Sequence, residues 1–95
     1  MVVEWSDPAT KDFDNTVRYL EENWNDKVVS KFVRDIRKEV SRLAVFPFAF
    51  PVTLRKKDVR RCVVSKTNSI YYSVKGNIIL ILAISDNRRG HSQYT

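Results

Sequence analysis

Cysteine, histidine and glycine are scarce in this 95-residue chain, which contains one Cys, one His and two Gly. A lone Cys62 cannot form an internal disulfide. One His and one Cys far apart in sequence do not make a zinc site of the usual spacing, and two glycines cannot build the loops that bind nucleotide phosphates. We therefore expect no metal and no cofactor.

Long apolar runs are also absent. The longest, residues 78–84, has seven residues, far below the roughly 20 that span a bilayer. The N-terminal segment Met1–Trp5 lacks the basic stretch and the long apolar run of a secretory signal. We expect a cytoplasmic protein without a membrane segment.

The composition is that of a globular protein, with 43% hydrophobic and 12% aromatic residues and only three prolines. A chain this short has interior enough for one core, so residues 1–95 should form a single domain. The net charge of +6 is unevenly placed. Residues 1–50 have eight Lys or Arg against nine Asp or Glu, whereas residues 51–95 have nine against two. This asymmetry favours a polyanionic partner, either nucleic acid or an acidic protein segment, over a merely soluble surface.

The first half of the chain has the apolar periodicity of helices. After a short strand at Met1–Trp5, Asp7 is expected to cap a helix with Pro8 at its first position. One apolar stripe runs through Phe13, Val17, Leu20 and Trp24. A second helix is expected from about Asp26 to Ala44. Its apolar face holds Val29, Phe32, Val33, Ile36, Val40 and Leu43, and its outward face holds Lys31, Arg34, Asp35, Lys38, Glu39 and Arg42.

The second half has the signals of β-structure after an irregular connection at residues 46–54. Strands are expected at Val59–Ser65, Ser69–Lys75 and Ile78–Ile84, and Gly76-Asn77 suits a type II′ hairpin turn. The nearly all-aliphatic last strand should lie centrally, with helices on one side and the N-terminal strand beside it. The predicted fold class is α+β: a strand, a two-helix hairpin and a mainly antiparallel sheet, in the order β-α-α-β-β-β.

Two basic groups are candidates for chemistry. The first consists of Arg55, Lys56, Lys57, Arg60, Arg61 and Lys66. Arg60 and Arg61 are consecutive in a strand and must point to opposite faces, so one of them should lie on the helix-free face. The alternative is an edge strand protected by charge from aggregation. Cys62 lies in the same strand, where a buried structural thiol is expected.

The second group is the C-terminal tail, in which Arg88, Arg89, His91 and Tyr94 follow one another closely. A disordered basic tail is the alternative. If the two groups converge, they suit metal-free RNA cleavage, in which a 2′-hydroxyl attacks the adjacent phosphate. Arg60 and Arg88 would stabilise the developing charge, and His91 or Tyr94 would move protons. The substrate would be bound by Arg55, Lys56, Lys57, Arg61, Lys66 and Arg89.

The whole chain resembles the RelE/ParE superfamily of toxins from type II toxin-antitoxin systems. The resemblance rests on the element order, on the segments Tyr19–Trp24 and Ile70–Val74, and on a last strand that runs into Asp86-Asn87-Arg88. It implies an antitoxin whose C-terminal segment wraps the helices and the sheet.

RelE-like members cut mRNA on the ribosome, and the resemblance implies such a ribosome-dependent endoribonuclease here. Their C-terminal Arg and Tyr are separated by five residues, as are Arg88 and Tyr94, and His91 resembles the C-terminal His of YafQ-like and YoeB-like members. Arg60 falls on one of their strand lysines. Cys62 and Ser69, however, fall on their second lysine and catalytic arginine. The alternatives are a ParE-like poison of DNA gyrase, which lacks the ribonuclease set, and a nucleic-acid-binding module without enzymatic activity.

The ribonuclease interpretation makes a prediction about toxicity in growing bacteria. Arg88→Ala should reduce toxicity more than Lys57→Ala, because Arg88 belongs to the candidate site and Lys57 to a solvated basic run. Growth after induction of each variant without antitoxin measures the effect, and equal toxicity of the two variants would contradict this placement.

Overall fold

The computed structural model describes residues 1–54 and 56–89 of the chain. It has the predicted order of one strand, two helices and three strands, followed by a short 3-10 helix. The elements are β1 (Val2–Trp5), α1 (Asp7–Asn23), α2 (Asp26–Val45), β2 (Arg60–Val63), β3 (Asn68–Lys75), β4 (Ile78–Asp86) and the 3-10 helix Asn87–Arg89.

The strands form one four-stranded sheet in the order β1-β4-β3-β2. β4 pairs with β3 in antiparallel and with β1 in parallel orientation, and β2 pairs with β3 in antiparallel orientation. The apolar strand is therefore central and the N-terminal strand lies beside it, as the sequence predicts. The sheet is mixed but mainly antiparallel.

The turn between β3 and β4 confirms the expected hairpin type. Lys75 pairs with Ile78, which leaves Gly76 and Asn77 as a two-residue loop. Gly76 has φ +57°, and no non-glycine residue in the described part of the chain has positive φ. Positive φ at the first loop position alone defines a type II′ turn, and glycine adopts it without steric cost.

The N-cap of the first helix is one residue earlier than predicted. Ser6, not Asp7, is the N-cap, and its hydroxyl accepts a hydrogen bond from the backbone N–H of Ala9. Pro8 still lies in the first turn, where its missing N–H has no intrahelical partner to lose. Asn25 caps α2 in the same way through Val28. Neither helix is long and apolar enough to cross a membrane.

Both apolar stripes pack against one face of the sheet, as predicted. Phe32, Ile36 and Leu43 of α2 are buried in a core with β-strand residues, including Ile70 and Ile81. Phe13, Val17 and Leu20 of α1 pack against the same core.

Two helical residues contradict the predicted faces. Trp24 was assigned to the apolar stripe but is the C-cap of α1 and is 63% exposed. The helix ends before Trp24 can complete the stripe. Glu39 was assigned to the outward face but is only 9% exposed. Its carboxylate is hydrogen bonded to Arg42 and Cys62, and these two partners make its burial tolerable.

Side chains of the first helix and its cap satisfy the backbone of β4 beyond the end of β1. The Ser6 hydroxyl donates to the carbonyl of Leu82, and the carboxylate of Asp12 accepts from the N–H of Ile84 at 3.0 Å. β1 is too short to pair with this part of β4. These contacts attach α1 to the part of β4 that lies beyond the end of β1.

Asp12→Ala should therefore destabilise the protein by about 1–3 kcal/mol, because the partly buried Ile84 N–H loses its acceptor. The exposed Asp14 on the same helix is the matched control, and Asp14→Ala should change stability by less than about 0.5 kcal/mol. Urea unfolding followed by circular dichroism measures both. Equal stability of the two variants would show that the Asp12 contact contributes nothing.

Candidate functional site

The two adjacent arginines of β2 lie on opposite faces of the sheet. Arg60 is registered with Tyr72, whose side chain is in the core beneath the helices, and Arg61 is registered with Tyr71 on the other face. The alternation expected from the sequence thus assigns Arg61 to the helix-free face.

Arg60 stabilises the connection between α2 and β2. Its Nη1 donates to the carbonyls of Phe50 at 2.6 Å and Phe48 at 3.4 Å, and its guanidinium lies 5.1 Å from the centroid of the Phe48 ring. The buried Tyr72 hydroxyl donates to the Pro47 carbonyl in the same connection. Burial raises the pKa of Tyr72 to about 12, so the phenol stays protonated. Arg60 is therefore not brought to the face that Arg61 occupies.

Arg61 is held in a closed triangle of hydrogen bonds on the helix-free face. Its Nε donates to the hydroxyl of Ser69 at 3.2 Å, and its Nη2 donates to Oδ1 of Asn87 at 3.2 Å. The Ser69 hydroxyl closes the triangle by donating to the same oxygen at 2.6 Å. Each side chain orients the other two, so the guanidinium has a defined direction.

Asn87 also ties the end of β4 to the turn between β2 and β3. Its Nδ2 donates to the carbonyls of Ser65 at 3.0 Å and Lys66 at 3.3 Å, and its backbone N–H donates to the carbonyl of Thr67 at 2.8 Å. This one residue therefore holds the end of β4 against the turn between β2 and β3.

Arg88 is paired with the last residue of β4. The Asp86 carboxylate accepts from the backbone N–H, Nε and Nη2 of Arg88, at 2.9, 3.1 and 3.0 Å. Hydrogen bonding and charge from Asp86 raise the pKa of Arg88, which stays a cation on an exposed surface. Its charge is thus already balanced within the chain.

The other predicted site residues are spread along the surface or lie outside the described part. Lys56, Lys57 and Lys66 are exposed in turns on either side of β2, and Arg89 is the last residue of the 3-10 helix. Arg55, His91 and Tyr94 lie outside the described residues. Their convergence with the sheet remains a prediction.

Cys62 is the buried structural thiol that the sequence predicts. It is 0% exposed, and its Sγ donates to Oε2 of Glu39 at 3.5 Å. Burial, with the negative charge of Glu39 and its hydrogen bond, raises the pKa of Cys62 to about 12. A thiol with so high a pKa stays protonated, and a protonated thiol is a poor nucleophile and a poor metal ligand.

The exposed face of α2 forms a shallow groove of about 640 Å³. Val29 and Val33 line it, and Arg34, Arg37 and Lys38 form a basic rim. A second cleft of about 470 Å³ between α2, α1 and β1 shares Arg37 with the first. This surface suits an apolar segment with acidic flanks.

The ParE toxin family of type II toxin-antitoxin systems, parDE, matches this sequence over residues 3–90. The chain belongs to this family. The RelE/ParE resemblance of the sequence is therefore confirmed, and the protein is a toxin of a type II toxin-antitoxin system. No curated protein is close enough in sequence to count as a match.

Solved structures of toxins share the fold of this ParE-family toxin. The chromosomal ParDE system of P. aeruginosa contains a chain that is 25% identical, with a TM-score of 0.77 over 90% of this chain and 95% of that one. The YoeB/ParE toxin of Agrobacterium tumefaciens is 14% identical, with a TM-score of 0.69 over 92% and 99%. The E. coli DinJ-YafQ complex has a chain that is 12% identical, with a TM-score of 0.61 over 95% and 97%. Several of these neighbours are toxin-antitoxin systems or complexes, which supports an antitoxin partner for the ParE-family toxin.

Sequence reasoning did not find the Arg61–Ser69–Asn87 triangle or the role of Glu39. Ser69 and Asn87 were noted only for their places in the family pattern, and neither residue type signals a site by itself. The position of Asn87 directly after the central strand was the available signal, because a side chain there can reach the neighbouring turn.

The buried thiol predicts slow labelling of the folded toxin. At pH 8 a thiol with a pKa of about 12 is ionised in only about one molecule in 10,000, so iodoacetamide should leave Cys62 unmodified until urea unfolds the chain. The variant Cys62→Ala/Val63→Cys moves the thiol to an exposed neighbour and should label rapidly when folded. Mass spectrometry measures both, and equal labelling rates would contradict the burial of Cys62.

Proposed function

We propose that this ParE-family toxin inhibits bacterial growth by poisoning DNA gyrase, without nuclease activity. The observation that carries the proposal is that two of the side chains expected for RNA cleavage are already engaged within the chain. Arg60 is hydrogen bonded to carbonyls on the helix side, and Arg88 is paired with Asp86. A poison acts by binding a protein and needs no acid-base set.

A second feature supports a protein as the target. Large apolar side chains are exposed at the end of α2, in the connection that follows it and on β2. They are Val45, Phe46, Phe48, Val52, Leu54 and Val63, with exposures from 48% to 101%. Apolar exposure of this kind marks surfaces that bind proteins, whereas a nucleic-acid track would be lined mainly by cations.

A ribosome-dependent endoribonuclease is the second candidate function. It is favoured by the spacing of Arg88 and Tyr94 and by the presence of His91 between them. In that case Arg88, His91 and Tyr94, with Arg60, would be the catalytic residues, and the surrounding Lys and Arg would bind the message.

The cognate antitoxin is the partner that neutralises this toxin. We place its docking segment in the α2 groove, because the valines of the groove and its basic rim suit an amphipathic segment with acidic flanks. Both toxin and antitoxin would act in the cytoplasm, where gyrase and ribosomes are found.

The decisive experiment applies the purified toxin to gyrase with relaxed plasmid and ATP, and in parallel to ribosomes translating a defined message. Gyrase poisoning predicts loss of supercoiling and accumulation of protein-linked DNA breaks, with the message intact by primer extension. Addition of the cognate antitoxin should restore supercoiling. Ribosome-phased cuts with normal supercoiling would overturn the proposal in favour of the ribonuclease.

Two variants sharpen this comparison. His91→Ala should change gyrase inhibition by less than about twofold, whereas loss of a general acid or base would reduce message cutting by about 100-fold or more. Val29→Asp introduces a charge among the apolar residues of the groove, so the variant should still inhibit gyrase but resist the antitoxin. Full relief of the Val29→Asp variant by the antitoxin would show that the groove is not part of the interface.

A further inference from the structure

Arg61 is a partly buried arginine whose side-chain acceptors within the described residues include no carboxylate. Arg42 is paired with Glu39 and Arg88 with Asp86, at 3.1 and 3.0 Å. The hydrogen-bond acceptors of Arg61 are the neutral side chains of Ser69 and Asn87. A partly buried guanidinium loses hydration that neutral acceptors replace only in part, so it favours an incoming anion.

Within the described residues, the triangle engages only one side of the guanidinium. Nε and one N–H of Nη2 are used by Ser69 and Asn87, while Nη1 makes no hydrogen bond within residues 1–54 and 56–89. A guanidinium has five N–H donors in a planar fork, so the side formed by Nη1 and Nη2 can still donate two parallel hydrogen bonds. Because Ser69 and Asn87 hold the group in place, little side-chain freedom would be lost on binding.

We propose that Arg61 binds a carboxylate of the antitoxin when the toxin is neutralised, a second contact on the face of the sheet opposite the α2 groove. The planar fork matches two carboxylate oxygens, and the bond would be charge-assisted at both. The inference rests on membership of the toxin family and not on the identity of the target.

The surroundings of Arg61 favour a peptide carboxylate over a nucleic-acid phosphate. Its neighbours on the helix-free face are Tyr71, Ser73 and Ala83, which carry no charge, and the adjacent Val63 is 57% exposed. Nucleic acid is held by several cations acting together, yet Arg60 and Arg88 are already engaged within the chain. One oriented cation beside exposed apolar surface fits a peptide segment with a single acidic anchor.

The test measures the affinity of the full-length toxin for its cognate antitoxin by competition binding. Arg61→Gln should weaken the complex by about 30-fold or more, as expected when one member of a buried charge pair is removed. Arg61→Lys retains the charge but not the fork, and it should weaken the complex by about tenfold. Arg18→Gln, at an exposed position on α1, is the charge-matched control and should stay within about twofold of the unmodified toxin.

A double-mutant cycle identifies the carboxylate. Each acidic residue of the antitoxin is replaced by its amide and combined with Arg61→Gln, and circular dichroism verifies that each toxin variant is folded. A single acidic residue whose effect falls by about tenfold or more in the Arg61→Gln background supports the proposal. Coupling below about twofold at every acidic residue overturns it.

A filter-binding assay with RNA tests whether Arg61 binds a nucleic-acid phosphate instead of an antitoxin carboxylate. If Arg61→Gln loses affinity for a 20-nucleotide RNA while it binds antitoxin normally, Arg61 serves a phosphate and the proposal is overturned. Gyrase is absent from every binding assay, so a failed gyrase experiment leaves this result unaffected, and the reverse is also true.

Discussion

α1 and α2 cover one face of the sheet, no helix of residues 1–54 and 56–89 packs on the other, and most of the structure depends on this asymmetry. Because side chains alternate along a strand, each residue of β2 and β3 is assigned either to the core or to the helix-free face. Cys62, Ile70 and Tyr72 complete the core, while Arg61, Ser69 and Tyr71 belong to the other face. A shift of one residue in the β2 register would bury Arg61 and expose Cys62.

The same asymmetry gives the arginines in the second half of the chain different roles. Arg60, on the core side, holds the connection from α2 through carbonyls and an aromatic ring. Arg88 is balanced by Asp86 at the end of the central strand. Arg61 is oriented by neutral side chains and, within the described residues, keeps donors for an external group. Three arginines from the same half of the chain thus become a structural cation, an internally paired cation and a binding cation.

The helix side of the molecule shows how a polar contact makes burial of charge tolerable. Glu39 lies on a helix whose other buried residues are apolar, yet its carboxylate meets both the Arg42 guanidinium and the Cys62 thiol. No periodicity argument could find this arrangement, because Cys62 is 23 residues away in sequence. Trp24 shows the opposite case, since a hydrophobic residue at the right spacing is exposed when the helix ends one residue before it.

The sequence by itself determined the element order, the central position of the last strand and the type II′ turn at Gly76, because apolar periodicity and turn chemistry are local properties that the chain carries without its fold. Its resemblance to the RelE/ParE toxins implied the family, and the family match over residues 3–90 confirms it. It also determined that Arg60 and Arg61 point in opposite directions. Only the tertiary structure decided which of the two faces the helices, since that depends on strand register and on which face is covered. The Arg61–Ser69–Asn87 triangle likewise exists only when β2, β3 and the 3-10 helix after β4 meet, as its members are up to 26 residues apart.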